Sequence, residues 1–109
     1  MAVIRLNYLV LRCRDLSGTK RFYEALGLSF QEEKHGAGPI HFSTCISGVV
    51  VELYPLRDDT ASTTDPCRIG ITVDSVSNVV PVLETLGMEQ YATLCFRDPD
   101  GRIVELSEV

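Results

Sequence analysis

The stretch FRDPDGRIVEL, residues 96–106, contributes most to the fold prediction. Its centre, residues 98–101, is a strong turn signal, since proline fixes φ, glycine accepts positive φ and aspartate hydrogen-bonds nearby backbone. Residues rich in aliphatic and aromatic side chains lie on both sides of this turn. We therefore predict two neighbouring strands, over residues 89–96 and 102–109.

The residues before this pair of strands predict one strand and one helix. The strand covers residues 67–73 and the helix residues 79–86. Pro81 suits only the first turn of a helix, where its missing N–H breaks no bond, so we expect the helix to begin near Ser77 or Asn78. Only one clear strand fits between this helix and the turn, so one strand of this half should be very short or missing.

The first half of the chain repeats this order of elements. Asp15 is placed to cap a helix over residues 16–26, and Gly27 is placed to end it. The polar residues 57–66 are predicted to be a linker. The strands predicted in this half cover residues 3–13, 28–33, 40–46 and 49–56.

The two halves predict a protein of the α+β fold class with a single domain over residues 1–109. Module one covers residues 1–56 and module two residues 67–109, both with the plan βαβββ. Either half alone has too few strands to bury its sheet and its helix. We therefore expect the modules to pack into one curved mixed sheet, with a concave cup inside and the helices outside.

The composition argues against several classes of function. The chain has a net charge of −5 and a pI near 4.9, so we expect no nucleic-acid partner and no membrane surface. Its longest apolar run is far short of the ~20 residues that span a bilayer. The N-terminal residues show no secretion signal, which predicts a cytoplasmic protein. We expect four free, buried and reduced cysteines, Cys13, Cys45, Cys67 and Cys95.

Five segments, in order along the chain, resemble proteins of the vicinal-oxygen-chelate superfamily, the glyoxalase, bleomycin-resistance and dioxygenase group. They are LVLRCRDL at 9–16, RFYEALGL at 21–28, VELY at 51–54, IGITVDSV at 69–76 and DPDGRIVEL at 98–106. The resemblance covers nearly the whole chain and implies paired βαβββ modules around a cup. It also implies a homodimer whose ligand cups lie at or near the interface between the two chains.

Metal-dependent members of this family place one metal ligand on each of four strands. The resemblance puts these positions at Tyr8, Glu52, Arg68 and Glu105, so both acids are present and both usual histidines are replaced. Arginine has no lone pair to donate, and tyrosine, with a pKa near ~10, is an uncommon ligand for such metals. We therefore predict no metal cofactor at these former ligand positions, with a weakly held divalent metal as the alternative.

Arg68 is the residue that we expect to take the place of the metal. A guanidinium group matches carboxylates with two parallel hydrogen bonds. If Glu52 and Glu105 converge on Arg68, within one chain or between two chains, the positive charge of the site would come from a side chain of the protein rather than from a bound metal ion. The alternative is that all three are separate surface charges on exposed strand faces.

Alternation along the strands predicts further ligand-binding residues on the same face. Each acid is flanked by core residues, as Glu52 is by Val51 and Leu53, so its own face is either solvent or a ligand cup. His41 is a candidate base, ligand or half-buried strand residue, whereas His35 is expected to be solvated in a turn. The predicted ligand-binding residues are Tyr8, Arg12, His41, Glu52, Tyr54, Arg68, Phe96 and Glu105.

Three functions remain open on this reasoning. The first is a dimer that binds and sequesters a small molecule without a metal, similar to the bleomycin-resistance branch. The second is a metal-dependent lyase or isomerase similar to lactoylglutathione lyase, or a dioxygenase, which stoichiometric metal in the pure protein would favour. The third is an interaction module without ligand chemistry. The sequence does not indicate catalytic residues or the identity of a ligand.

Overall fold

The structure, a computed structural model, describes residues 2–57 and 67–109. The predicted linker lies outside these residues, apart from Arg57. Module one contains β1 (Tyr8–Cys13), α1 (Leu16–Ala25), β2 (Gln31–Glu33), β3 (His41–Ile46) and β4 (Val49–Pro55). Module two contains β5 (Arg68–Val73), α2 (Val76–Thr85), β6 (Gln90–Ala92), β7 (Cys95–Arg97) and β8 (Ile103–Glu108).

Each module forms its own four-stranded sheet, with the strand orders β1-β4-β3-β2 and β5-β8-β7-β6. β1 pairs parallel with β4, and β5 pairs parallel with β8, while the other neighbours are antiparallel. The predicted α+β class and the duplicated βαβββ plan are confirmed. In the described part of the chain the predicted single sheet is two sheets, because β1 and β5 are edge strands without a ladder between them.

One hydrophobic core connects the two modules. Phe22 of α1 and Leu53 of β4 are fully buried, as are Leu83 of α2 and Phe96 of β7. All four belong to one cluster of buried side chains. Burial of a side chain of this size contributes roughly 1.5–3 kcal/mol, so this shared core is a main source of the stability of both modules.

The first strand is shorter than predicted. The sequence pattern predicts a strand from Val3, but β1 begins at Tyr8, and Val3 and Ile4 are 82% and 84% exposed. Tyr8 is opposite Val50 near the start of β4, and the Asn7 carbonyl still accepts from the Val50 N–H, but among the described residues those before Asn7 have no neighbouring strand to pair with. A β-forming sequence without a partner leaves an apolar arm in solvent.

The predicted strand over residues 89–96 is two strands of three residues each, β6 and β7. They form an antiparallel hairpin that turns at Leu94, which has a φ of 58°. Positive φ is unusual for a leucine, so no residue type at this position predicted a turn. The expectation of a very short strand in this half is confirmed.

The first helix agrees with its predicted caps. Asp15 Oδ1 accepts a hydrogen bond of 2.9 Å from the backbone N–H of Gly18, and Gly27 has a φ of 102° just after the helix. Both features satisfy backbone groups that a helix end otherwise leaves without partners. Neither helix, each ten residues long, is long enough to cross a membrane.

The predicted start of α2 is wrong. The helix begins at Val76, which places Pro81 inside it rather than in its first turn. The N-cap residue Ser75 makes no side-chain capping bond. Instead, Glu108 Oε1 of β8 accepts a hydrogen bond of 2.8 Å from the backbone N–H of Val76. A carboxylate from a distant strand therefore fixes the helix start, at a favourable place for negative charge near a helix N-terminus.

Replacing Glu108 with alanine is expected to lower the free energy of unfolding by about 1 kcal/mol, because the Val76 N–H loses its acceptor. Glu108→Gln keeps an acceptor oxygen and is expected to lose less. Urea denaturation of both variants measures the difference. Equal stability of the alanine variant and the unmodified protein would show that water replaces this cap without cost.

The closing turn carries an ion pair in the protein interior. Arg102 Nη1 lies 3.0 Å from Asp98 Oδ2, and the side chains are 2% and 0% exposed. Asp98 also accepts hydrogen bonds from the Tyr23 hydroxyl and from the backbone N–H of Asp100, both at 2.9 Å. Arg102 donates through Nη2 to the carbonyl of Arg12. The turn therefore connects β8 to α1 and β1 of the other module.

This connection has further contacts around Asp100. Its carboxylate accepts from the backbone N–H of Arg14 at 2.7 Å and from the Thr19 hydroxyl at 2.9 Å. Burial opposes the charge of Arg102, but the Asp98 carboxylate more than compensates, so the pKa of Arg102 is raised. We call Asp98, Asp100, Arg102, Tyr23 and Thr19 the inter-module network.

The cysteines are free but not all buried. Cys13 and Cys95 are buried, Cys67 is half-buried and Cys45 is exposed. Burial raises the pKa of the Cys13 thiol to about 11, so this thiol is protonated and unreactive at neutral pH. The expectation of four buried thiols is wrong for Cys45, which is exposed on β3.

Candidate functional site

Strand pairing in module one collects polar side chains on one face of its sheet. In the register, Val10 of β1 is opposite Glu52 of β4, and Arg12 is opposite Tyr54. The residues between them, including Leu53, turn to the core on the other face. We call the face that carries Tyr8, Arg12, His41, Glu52 and Tyr54 the polar face.

His41 is the centre of the polar face and is only 1% exposed. Its Nδ1 lies 3.2 Å from the carbonyl of Pro39, to which it donates as the N–H tautomer. Its Nε2 lies 3.3 Å from the Tyr54 hydroxyl, 3.3 Å from Glu33 Oε1 and 3.5 Å from Glu52 Oε2. The imidazole is therefore fixed in orientation, with its second nitrogen between two carboxylates.

Tyr8 and Glu52 form a second fixed contact on this face. The Tyr8 hydroxyl donates a hydrogen bond to Glu52 Oε1. This bond to the carboxylate raises the pKa of Tyr8 to about 12, so its phenol is protonated at neutral pH. Tyr8 is half exposed while Glu52 is buried, and the pair thus presents a phenol edge to solvent with an acid beneath it.

Arg12 and Tyr54 complete the polar face. The guanidinium carbon of Arg12 lies 5.0 Å from the centre of the Tyr54 ring, and Arg12 also donates to the carbonyl of Pro55 at 3.2 Å. The Tyr54 ring stacks on the His41 imidazole with 4.1 Å between their centres and 9° between their planes. Five of the predicted ligand-binding residues are thus brought together.

Glu33 and His35 lie beside the polar face, outside its five residues, and were not predicted as site residues. Glu33 is opposite His41 in the pairing of β2 with β3. His35 follows β2, has a side chain that is 74% exposed, and places its ring centre 5.1 Å from that of His41. No local pattern could identify them, because the register of this hairpin decides which residue of β2 meets His41.

Arg68 and Glu105 lie together on the sheet of module two. Arg68 Nη1 is 3.4 Å from Glu105 Oε1, and both side chains are more than half exposed. In the described residues no ion pair joins Arg68 to Glu52, whose carboxylate instead contacts Tyr8 and His41. An exposed pair of this kind contributes ~0–1 kcal/mol at most, so Arg68 is held loosely by one acid of its own chain.

Phe96 lies in the core rather than on a ligand face. It is fully buried and belongs to the cluster shared by the two modules. A ligand would reach its ring only if that core opened. The alternation that placed Phe96 among the candidates assumed one long strand, whereas the chain turns at Leu94 just before it.

The four metal-ligand positions implied by the family resemblance do not fit a divalent ion. Tyr8 has a raised pKa and donates its proton to Glu52, so it supplies no phenolate. Arg68 beside Glu105 is a permanent cation that repels a metal ion. The two acids are engaged by different partners, and we derive no metal-assisted step at these positions.

A second feature is an apolar cavity of about 350 Å³ on the opposite side of β1 and β4 from the polar face. Strands of both modules contribute to its lining, which includes Leu9, Leu11, Val51, Leu53, Ile69 and Ile71. Cavities of roughly 300–1,000 Å³ with mainly apolar linings are typical of small-molecule sites. This cavity offers few polar groups to orient a ligand.

Comparison with known proteins supports the fold. The model of the Glyoxalase/Bleomycin resistance protein/Dioxygenase superfamily matches residues 5–106. No curated protein matches the chain.

Several solved structures share the architecture. An integron cassette protein from the mobile metagenome of V. cholerae superposes with a TM-score of 0.71 at 23% identity, over 99% of this chain and 97% of that one. The fosfomycin resistance protein FosX from Listeria monocytogenes gives 0.74 at 17% identity, over 98% and 92%. TnmS3, an antibiotic binding protein from Streptomyces sp. CB03234, gives 0.65 at 19% identity, over 99% and 98%. At these identities the likeness shows the fold alone.

Proposed function

Since the chain belongs to the Glyoxalase/Bleomycin resistance protein/Dioxygenase superfamily, we propose that it binds and sequesters a small molecule as a homodimer. Binding takes place on the polar face and needs no metal at Tyr8, Glu52, Arg68 and Glu105. A fosfomycin resistance protein and an antibiotic binding protein have the same fold, which is consistent with this role. The four free cysteines fit a reducing cytoplasm.

The observation that carries this proposal is the prearranged hydrogen-bonding cluster on an accessible sheet face. His41 and Glu52 are buried and fixed by their partners, while Tyr8 above them is half exposed. Groups that are already fixed lose little conformational entropy when a ligand arrives. A ligand can therefore use the Tyr8–Glu52 pair without ordering it first.

The chemistry of the face favours a planar ligand with a cationic group. The half-exposed aromatic ring of Tyr8 offers a flat surface for stacking, which contributes ~0.5–1.5 kcal/mol beyond burial. The Glu52 and Glu33 carboxylates attract positive charge. The positive charge of Arg12, which lies over the Tyr54 ring, repels a cationic ligand. The ligand is therefore limited to the Tyr8 side of the face.

Tyr8→Phe is expected to weaken binding of a planar cation by roughly 10- to 150-fold, because the Tyr8 oxygen, which donates its proton to Glu52, can accept one hydrogen bond from the charged ligand, and such a bond is worth ~1.5–3 kcal/mol. The fluorescent cation proflavine is a suitable probe, and its titration gives the dissociation constant directly. Tyr91 has the same 50% exposure as Tyr8 but lies on module two. Tyr91→Phe is therefore the matched control, with unchanged affinity expected.

A panel of planar cations and neutral aromatics extends this test. A ligand at 100 times its dissociation constant stabilises the protein by ~2.7 kcal/mol, which raises the melting temperature by several degrees. If no compound shifts the melting temperature, or if Tyr8→Phe and Tyr91→Phe bind alike, the polar face is not the binding site. An interaction module without ligand chemistry would then be the better description.

The homodimer rests on apolar residues that one chain leaves uncovered. Val3, Ile4 and Leu6 are 82%, 84% and 60% exposed, next to the edge strand β1. Exposed apolar groups beside a free strand edge are sites of association. We propose that a second copy of the chain packs against these three residues. The same copy covers the open side of the apolar cavity, whose lining includes Leu9.

Ile4→Asp is expected to shift the protein towards monomers, because it places a charge in the apolar contact. Light scattering coupled to size exclusion at several concentrations measures the mass. Ile4→Val is the control that keeps the apolar surface. Both variants keep the neighbouring Arg5, which donates to the carbonyl of Gly48 at 3.0 Å. A monomeric unmodified protein would refute the proposed dimer while leaving ligand binding open.

A further inference from the structure

Three metal-ligand atoms meet at the end of the β2–β3 hairpin, away from the four positions considered above. One carboxylate oxygen of Glu33 and one ring nitrogen each of His35 and His41 all lie within 4.8 Å of one another. The Glu33 oxygen is 3.3 Å from His41 Nε2 and 4.0 Å from His35 Nε2. In the described residues this is the one group of three such side chains at this spacing.

The orientation of His41 is independent support for a cation at this place. Because Nδ1–H donates to the Pro39 carbonyl, Nε2 is the ring nitrogen that faces Glu33 and Glu52. Two carboxylate oxygens at 3.3 and 3.5 Å from Nε2 favour a positive charge at this place, which a proton on Nε2 supplies and which a bound metal ion can replace. The Tyr54 hydroxyl at 3.3 Å can give Nε2 one hydrogen but cannot bridge both acids.

The same arrangement is usual for histidines that bind metals. Such a histidine donates its other ring N–H to a carbonyl or carboxylate, which fixes the ring and makes the free nitrogen a better ligand. His41 has this second bond already, and its 1% exposure prevents the ring from turning away. The protein thus holds one ligand in place before any metal arrives.

The spacing of the Glu33 and His41 ligand atoms suits tetrahedral coordination. Ligands at ~2.0–2.1 Å from a zinc ion lie about 3.3 Å from each other. The Glu33–His41 pair already has this separation. The exposed His35 side chain has to approach by less than 1 Å, from 4.0 Å to about 3.3 Å, to reach the same separation from Glu33.

We propose that Glu33, His35 and His41 form a binding site for a borderline divalent transition metal such as Zn²⁺, with the fourth coordination position open. Two imidazoles and one carboxylate select such metals over Mg²⁺ and Ca²⁺, which prefer oxygen ligands. The exposed His35 leaves a path for the ion to enter. The site adjoins Glu52 on the polar face, but the proposal does not depend on the ligand that the face binds.

Binding of Co²⁺ and Zn²⁺ to the tag-free, chelator-treated full chain tests this site. Co²⁺ is expected to give the visible absorption of a low-symmetry complex with one equivalent bound, and Zn²⁺ is expected to displace it. Mg²⁺ should not compete. Since Cys45 is exposed, the Cys45→Ser variant is used throughout, and thiolate charge-transfer bands in the near ultraviolet would reveal cysteine ligation instead.

The decisive variants are Glu33→Gln and its neighbour Glu32→Gln. Both remove one negative charge from β2, but only Glu33 belongs to the three-residue group. Glu33→Gln and His35→Ala are each expected to weaken Zn²⁺ binding by at least ~100-fold, the upper range seen for residues that merely support metal ligands. Glu32→Gln is expected to change the Zn²⁺ affinity less than about threefold, because Glu32 is not a ligand and salt screens the effect of its charge.

Three results would overturn the proposal. They are binding no tighter than millimolar, equal losses in Glu33→Gln and Glu32→Gln, and full affinity in His35→Ala. His35 has no contact with Tyr8 in the structure, so His35→Ala should leave proflavine binding unchanged. Loss of metal binding with retained proflavine binding, or the reverse, tells which of the two proposals has failed.

Discussion

Asp98→Ala is expected to lower the free energy of unfolding by about 3–5 kcal/mol, the loss that follows when one partner of a buried ion pair is removed. The Asp98 side chain is fully buried and lies 3.0 Å from the Arg102 guanidinium. Without it, the acid partner that Arg102 keeps among the described residues is Asp100, whose Oδ2 lies 3.7 Å away. A buried cation without its counter-charge is unstable in the protein interior.

The loss extends beyond the ion pair. Asp98 accepts a hydrogen bond from Tyr23 of α1, and burial together with this carboxylate raises the pKa of Tyr23, so that its hydroxyl remains a donor. The second oxygen accepts from the backbone N–H groups of Asp100 and Arg102. Asp98→Ala therefore leaves donors of both modules without their acceptor.

Urea denaturation with an unchanged m-value measures this effect. Asp98→Asn is expected to lose less, because its oxygen can still accept from the two backbone N–H groups of the turn. Asp74 is exposed, and Asp74→Ala serves as the control, with a change within ~0.5 kcal/mol. A loss below about 1 kcal/mol in Asp98→Ala would show that water replaces the carboxylate around Arg102.

Phe96→Ala is expected to lower the free energy of unfolding by about 3–5 kcal/mol as well. The ring is fully buried in the core that both modules share. Its removal leaves a cavity that a core packed from two sheets and two helices closes only in part. If Phe96 instead lined a ligand cup, as the sequence suggested, the loss would be smaller and ligand affinity would fall.

Two measurements separate these roles of Phe96. Denaturation gives the stability, and proflavine titration at a temperature where the variant is folded gives the affinity. Tyr91 is a half-exposed aromatic on the adjacent strand β6, so Tyr91→Ala is the control for truncation of a large ring. A stable Phe96→Ala variant with weakened binding would place Phe96 on a ligand surface.

Local sequence patterns predicted much of the fold. The Asp15 cap, Gly27 and the apolar residues of α1 located that helix to within one residue at its end. Where the predictions failed, a distant residue was responsible. The start of α2 depends on Glu108 of β8, and the start of β1 depends on where β4 begins.

The candidate site was predicted less completely than the fold. The family resemblance implied Tyr8 and Glu52, and alternation correctly put Arg12 and Tyr54 on the same face, because side chains of a strand point to alternate sides. His41 was a candidate without a visible partner. Its contact with Glu33 depends on the β2–β3 register, which no single strand contains.

The closing stretch, residues 96–106, shows the division between sequence and structure. The sequence by itself determined that Asp98 to Gly101 form a turn between strands, since φ restrictions and local hydrogen bonds of these residue types suffice for that. Only the tertiary structure decided that Asp98 and Arg102 are buried and join the two modules. Burial and charge pairing depend on which surfaces meet across the chain, and residues 75 and more positions apart meet here only because the modules pack together.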